Sequence, residues 1–212
     1  MVNVMQSVIL STAYLGPVQY YSKLAVAREV QIEQYDSYHK QTFRNRCTIL
    51  GGNGPYDLII PIVKNSGVKT LVKDVQIENI SRWQDKHWRT IVSAYNSSPF
   101  FEYYRDDFEV LYQRPWNFLL DFNQALNEVV LELLELDVAV KLTSDFVKNP
   151  DAVDFRSVIL PRKELSDLHF QPLTYTQTFS DRFGFVPNLS IIDLLFNVGN
   201  ESGRVLTASF SE

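Results

Sequence analysis

A buried-type apolar run, a Gly-Pro break and a helix-compatible segment, in that order, constrain this chain more than any other feature. Val8-Ile9-Leu10 suits a strand with both faces covered and opens residues 6–15. The run ends at Ser11-Thr12-Ala13, and Gly16-Pro17 follows. Proline has no N–H to waste at a first helical position. Val18, Tyr21, Leu24 and Ala25 then recur near helical spacing, which predicts an amphipathic helix over residues 17–27. Residues 29–34 predict a second strand. Strand, tight loop, helix and strand make a βαβ unit. Open sheets of such units bind ligands beyond the carboxyl ends of their strands. Residues 11–20 are therefore one candidate wall of a site.

The rest of the chain extends this frame. Residues 46–50 and 58–63 predict strands, with a hairpin turning at Asn53-Gly54 because both positions tolerate positive φ. Gly51, Gly52 and Gly54 read as that turn, not as a phosphate cradle. Residues 71–78 alternate apolar and polar, as a strand with one wet face does. Ser81 with Gln84 three residues on fits a capping box, and Trp88, Ile91, Val92 and Tyr95 would form the buried stripe of the helix that follows. Pro99 restarts the chain as a helix through Phe101, Tyr104, Phe108 and Leu111. Pro115 starts the longest helix, running through Leu136, and residues 138–142 predict a returning strand. A short apolar run follows Arg156 and ends in Pro161-Arg162-Lys163. Asn188 is placed to cap a last helix over residues 189–197, with Gly199 at its C-terminal stop. Leu206, Ala208 and Phe210 alternate, as in a docked edge strand or a frayed end. The expected fold class is α/β: a mixed sheet opening with a β-α-β unit and a hairpin, packed against a cluster of long helices. No repeat or linker divides residues 1–212, so one domain is expected.

Composition narrows the function. At 212 residues and 45% apolar, the chain can bury a sizeable core. A net charge of -5 opposes general nucleic-acid affinity, which needs many basic contacts to phosphates. Lone Cys47 has no disulfide partner within the chain and reads as an inert buried thiol. No apolar run reaches membrane-spanning length and no signal-type segment follows Met1, so a cytoplasmic protein without membrane insertion is expected.

Against that acidic balance, Tyr38 to Arg46 stands out. From His39 onward it holds Lys40, Arg44 and Arg46 and no acidic residue. Guanidinium forks suit carboxylate or phosphate oxygens, and they also pair with a protein's own Asp and Glu. Both readings stay open at this point. His39 is an acid/base candidate or an exposed loop imidazole. His87 and Arg89 flank Trp88 and face solvent or a cleft. Glu102, beside Tyr103 and Tyr104, is a carboxylate among rings or part of a wet helix face. Ser190, Asp193 and Asn197 fall at i, i+3 and i+7, as the solvent side of a helix or a second site wall. Three histidines without ligand spacing predict no metal site. No G-x-G-x-x-G, P-loop or G-x-S-x-G is present, so no cofactor is assigned.

Several blocks in one order carry a resemblance. They are Tyr14-Leu15-Gly16-Pro17-Val18-Gln19-Tyr20-Tyr21, Gln41-Thr42-Phe43-Arg44-Asn45-Arg46 and His87-Trp88-Arg89. Ala94-Tyr95, Ser98-Pro99-Phe100-Phe101-Glu102 and the closing stretch from Asn188 to Gly199 continue the series. Together they resemble the WbqC-like family from about Leu10 to Gly199. Many members have His-Gln-Pro where Ser11-Thr12-Ala13 stands here. The short stretch over residues 151–177 is similar to the compact form found in Bacteroides-like bacteria. Some members are encoded in O-antigen or polysaccharide clusters. The resemblance therefore implies a transferase-like protein of sugar metabolism acting on a small anionic molecule such as a nucleotide sugar. In that reading Arg44 and Arg46 hold the anion, Gln19 and Asn45 orient it, and His39 or His87 moves a proton. Tyr14, Tyr20, Lys40, Gln41, Arg89, Glu102 and Asp193 complete the candidate ligand-binding set. The alternative is a non-catalytic binding or scaffold protein with an anion-reading cleft.

Overall fold

The computed structural model describes residues 5–63, 69–161 and 167–211. Strand β1 (Met5–Ser11) carries the apolar run, with Val8, Ile9 and Leu10 buried on both faces. Helix α1 (Val18–Leu24) crosses to β2 (Ala27–Glu33), which pairs parallel with β1 in the register Val8 to Val30. Gly16 suits the tight loop between β1 and α1, where a Cβ would make close contacts of 3.1 Å with both Ala13 and the Tyr20 ring. Strand β3 (Arg46–Gly51) and β4 (Gly54–Ile59) form an antiparallel hairpin. Its two turn residues are Gly52 and Asn53, one position earlier than expected. The positive φ, 105°, falls at Gly54.

Three helices follow: α2 (Trp83–Tyr95), α3 (Phe101–Tyr112) and α4 (Leu119–Leu133). Strand β5 (Ala139–Leu142) and the two-residue β6 (Val153–Asp154) return to the sheet, which has the all-parallel order β5-β2-β1-β6. The hairpin forms a separate two-stranded ladder. A one-turn α5 (Ser180–Phe183), then α6 (Ile191–Val198) and α7 (Ser202–Ala208), close the chain. The class is α/β, with the βαβ opening and the hairpin both present. One hydrophobic cluster runs from β1 and α1 through the hairpin to α4 and α6.

Several local expectations are corrected. Residues 71–78 are not a strand. Val72, Val75 and Ile77 are buried, but the backbone forms a 3-10 turn at Val72–Asp74 and then bonds to several different segments. Val72 N–H reaches Asp36, Lys73 N–H reaches Gln34 and Ile77 N–H reaches Asn117. Ser81 is not a cap either. Arg82 takes the N-cap position with φ 48°, the Ser81 hydroxyl is buried without a partner, and Gln84 donates to the Arg114 carbonyl. The buried stripe of α2 is Trp83, His87, Ile91, Ala94 and Tyr95, with Trp88 and Val92 only partly buried. A neutral imidazole passes as an apolar surface there, which residue type alone hides. Helix α4 starts at Leu119, because residues 116–118 are spent on an extended link that bridges Gln76 to Phe118.

Helix α1 is not amphipathic. All seven residues are buried, because α6 and α7 cover its outer side. Asn188 does not cap α6. It adopts φ 57° and its side-chain oxygen accepts the Gln19 N–H at 2.9 Å, while the Leu189 carbonyl accepts the Val18 N–H. The free donors at the start of α1 are thus consumed inside the fold. Residues 202–208 form a helix rather than an edge strand, with Ser202 and Leu206 inward one turn apart. Gly199 ends α6 as expected, at φ 65°. Of the run ending in Pro161-Arg162-Lys163, Arg162 and Lys163 lie outside the described residues. No helix among the described residues is long and apolar enough to cross a membrane.

Candidate functional site

From β1 the chain moves to β2 and β5 on one side, then crosses back beyond β1 to β6 on the other. Segments leaving the carboxyl ends of β1 and β6 therefore diverge, and such a switch point leaves a crevice. A cleft lies there. It is lined by Ser11, Thr12 and Ala13 after β1, by Phe155 and Arg156 after β6, and by Tyr20 of α1. Thr42, Phe43 and Arg44 close it from the connection between β2 and β3. The atom-free space, open mouth included, is about 290 Å³. Its enclosed part is only about 10 Å³, room for about one water, so an anion would sit at the open mouth.

Arg44 is the central side chain. It is 4% exposed. Its Nη2 donates to the Asp36 carboxylate at 2.9 Å and to the Ser11 hydroxyl at 3.0 Å. Its Nε is buried without a partner, and no acceptor among the described residues faces Nη1. Burial lowers its pKa, and Asp36 opposes that effect. Asn123 of α4 fixes the backbone here: its Nδ2 donates to the Arg44 carbonyl at 2.8 Å and to Thr12 Oγ1 at 3.1 Å. An inward amide on a mostly apolar stripe thus ties α4 to the segments that carry Thr12 and Arg44.

Arg156 is held from the opposite wall. Asp154 takes its Nε and Nη2, at 3.0 and 2.7 Å, and Glu33 with the Val147 carbonyl takes Nη1. Glu33, at the end of β2, is itself buried. It also accepts from the Tyr35 and Val147 N–H groups and from the Thr143 hydroxyl. A buried carboxylate is tolerated only with such dense compensation. The carboxyl edge of the sheet is thus a continuous polar rim.

Of the residues singled out from sequence, Tyr20 and Arg44 line this cleft. His39, Lys40 and Gln41 are exposed on the adjoining loop, where Thr42 Oγ1 donates to the His39 carbonyl and Gln41 takes φ 60°. Arg46 pairs with Asp57 across the hairpin at 3.3 Å, and Asn45 is buried, donating to the Ile60 carbonyl. Gln19 is buried and donates to Asp167, which also pairs with buried Lys23 at 2.9 Å. Tyr14 joins the core, its hydroxyl 2.9 Å from His87 Nδ1 and 2.7 Å from the Tyr112 hydroxyl. Burial pushes the His87 pKa down to about 4, so this imidazole is neutral near pH 7. Arg89 is exposed on the outer face of α2 with Arg82 and Lys86, and Glu102 is exposed beside Arg105. Asp193 lies in the interior, accepting from Tyr95, Tyr175 and Gln177. The structure therefore disperses the candidate set. It adds Arg156, Asn123 and Glu33, whose link to the cleft rests on contacts far apart in sequence. The wall at residues 11–20 and Arg44 of the cationic stretch signalled the place.

Comparison with known proteins agrees with the order of the sequence blocks. The chain is 22% identical over 218 residues to a protein named "Uncharacterized protein Rv1507c" from Mycobacterium tuberculosis, covering 92% of this chain and 94% of that one. No solved structure matches. A sequence profile of the WbqC-like protein family matches residues 12–160 and 162–205. The chain belongs to the WbqC-like protein family.

Proposed function

We propose that this protein binds a small anionic molecule, such as a nucleotide-linked sugar, in the cleft between the carboxyl ends of β1 and β6. Its role in this reading is transferase-like, in bacterial surface-polysaccharide metabolism. The sugar follows from the family resemblance. The anion follows from one observation: Arg44 is almost wholly buried, yet Nε and Nη1 have no acceptor among the described residues. Burying a guanidinium is costly unless its donors are satisfied, and Asp36 and Ser11 take only Nη2. An oxyanion at the cleft would take Nη1 through a charge-assisted bond. In this reading His39, on the exposed loop beside Thr42, would move a proton.

The placement of His87 favours a second reading. A neutral imidazole locked between Tyr14 and Trp83 is a core element, which leaves a binding or scaffold protein with one candidate base. Calorimetric titration with UDP-glucose separates the cases. Wild type should bind, and Arg44→Lys should lose about tenfold or more in affinity, because lysine keeps the charge but not the planar fork. Undiminished affinity in that variant would overturn the anion site. Retained binding without turnover in both wild type and His39→Gln would favour the scaffold.

A further inference from the structure

Resting on that reading, we infer that the cleft selects a phosphoryl or pyrophosphoryl group over a carboxylate, and that Asn123 and Arg44 set this preference by fixing the polarity of two hydroxyls. Ser11 Oγ accepts from Arg44 Nη2, so its own hydrogen is left to donate. Thr12 Oγ1 accepts from Asn123 Nδ2, which likewise leaves its hydrogen free. Asn123 cannot be turned the other way, because its oxygen would then face the Arg44 carbonyl that Nδ2 now satisfies at 2.8 Å. The Tyr20 hydroxyl, at the same cleft, has no hydrogen-bond partner among the described residues. Thr42 spends its hydrogen on the His39 carbonyl.

Among the described residues that line the cleft, the uncommitted side-chain donors are Nη1 of Arg44 and the hydroxyls of Ser11, Thr12 and Tyr20, while the free oxygen of Asn123 is buried behind them. They belong to residues that line the cleft from the end of β1, from α1 and from the β2–β3 connection. A carboxylate presents two oxygens in one plane. A phosphoryl group presents three in a tetrahedral array, and a pyrophosphate bridge presents more. The tetrahedral acceptor matches donors spread over several elements.

The test is calorimetry with inorganic phosphate, glucose 1-phosphate, UDP-glucose and glucuronate on wild type, Thr12→Val and Arg44→Lys. Glucose 1-phosphate or UDP-glucose should bind wild type about tenfold or more tighter than glucuronate, since each extra bond to a charged acceptor carries that scale. Whichever of the two phosphate ligands binds tighter identifies a terminal phosphoryl group or a pyrophosphate bridge as the group recognised. Thr12→Val, which is nearly isosteric, should melt close to wild type and lose most of the preference while still binding glucuronate. Equal affinity for glucuronate and the phosphates, or a preference that survives in Thr12→Val, would overturn this inference and leave the anion site standing. Binding of no anion, or binding indifferent to Arg44→Lys, would instead sink the reading beneath it.

Discussion

Asp193 should make this protein less stable as pH rises from acid toward neutral, against the usual direction for a carboxylate. It is 1% exposed on α6. Its carboxylate accepts from the Tyr95 hydroxyl at 3.0 Å, the Tyr175 hydroxyl at 2.8 Å and Gln177 Nε2 at 2.9 Å, but no cation pairs with it among the described residues. Burial raises its pKa from 3.8 to about 6, and the three donors only partly oppose that. A folded pKa above the unfolded one means that the native state holds the proton more tightly. The stability this gives is complete below pH 3.8 and is lost as pH climbs through about 6. Two pKa units correspond to about 3 kcal/mol. The perturbation is Asp193→Asn, which cannot titrate, followed by urea denaturation of both proteins from pH 3.5 to 8. Asparagine offers one acceptor oxygen for two tyrosines, a cost independent of pH. Wild-type stability minus variant stability should therefore fall by about 3 kcal/mol across this range, most of it before pH 6.5. Asp154 and Asp167, whose pKa values lie below normal, push stability the other way as pH falls, but both proteins carry them and they cancel. A flat difference, or one that grows with pH, would refute the argument.

Two further stability outcomes follow from packing. Gly199→Ala must place a side chain at φ 65° with its Cβ 2.6 Å from the Phe100 ring, so denaturant melts should show a loss of roughly 2–4 kcal/mol. Trp83→Ala removes a ring packed edge-on against His87, Tyr112 and Phe122 and should cost about 3–5 kcal/mol, whereas Ser81→Ala should change the melt by less than about 0.5 kcal/mol. The reverse order would restore Ser81 as a cap.

What the sequence disclosed follows from how local each signal is. The opening βαβ unit was legible because a run as apolar as Val8-Ile9-Leu10 has few other uses and Gly16-Pro17 marks its end. The hairpin was legible for the same reason, with a one-position error in its turn. Strand β6 was not, because two exposed residues carry no periodicity. His87 was misread because its partner Tyr14, itself bonded to Tyr112, lies 73 residues away and turns a polar side chain into core. Arg44 was found as part of a cationic cluster in an acidic chain. Arg156 was missed because Asp154 sits two residues before it, so its local pattern is an ordinary ion pair. Its bond to Glu33 spans 123 residues. Arg46 resembled Arg44 in sequence but begins β3, where Asp57 on the neighbouring strand takes it.

The central claim is that an anion sits on Arg44 at the sheet's switch point. The most direct measurement is a crystal structure of the protein soaked with UDP-glucose. Phosphate density is expected within hydrogen-bond distance of Arg44 Nη1 and the Thr12 hydroxyl, with Asn123 unmoved. Density on the exposed Arg82, Lys86 and Arg89 face of α2, with the Arg44 cleft holding only solvent, would contradict it.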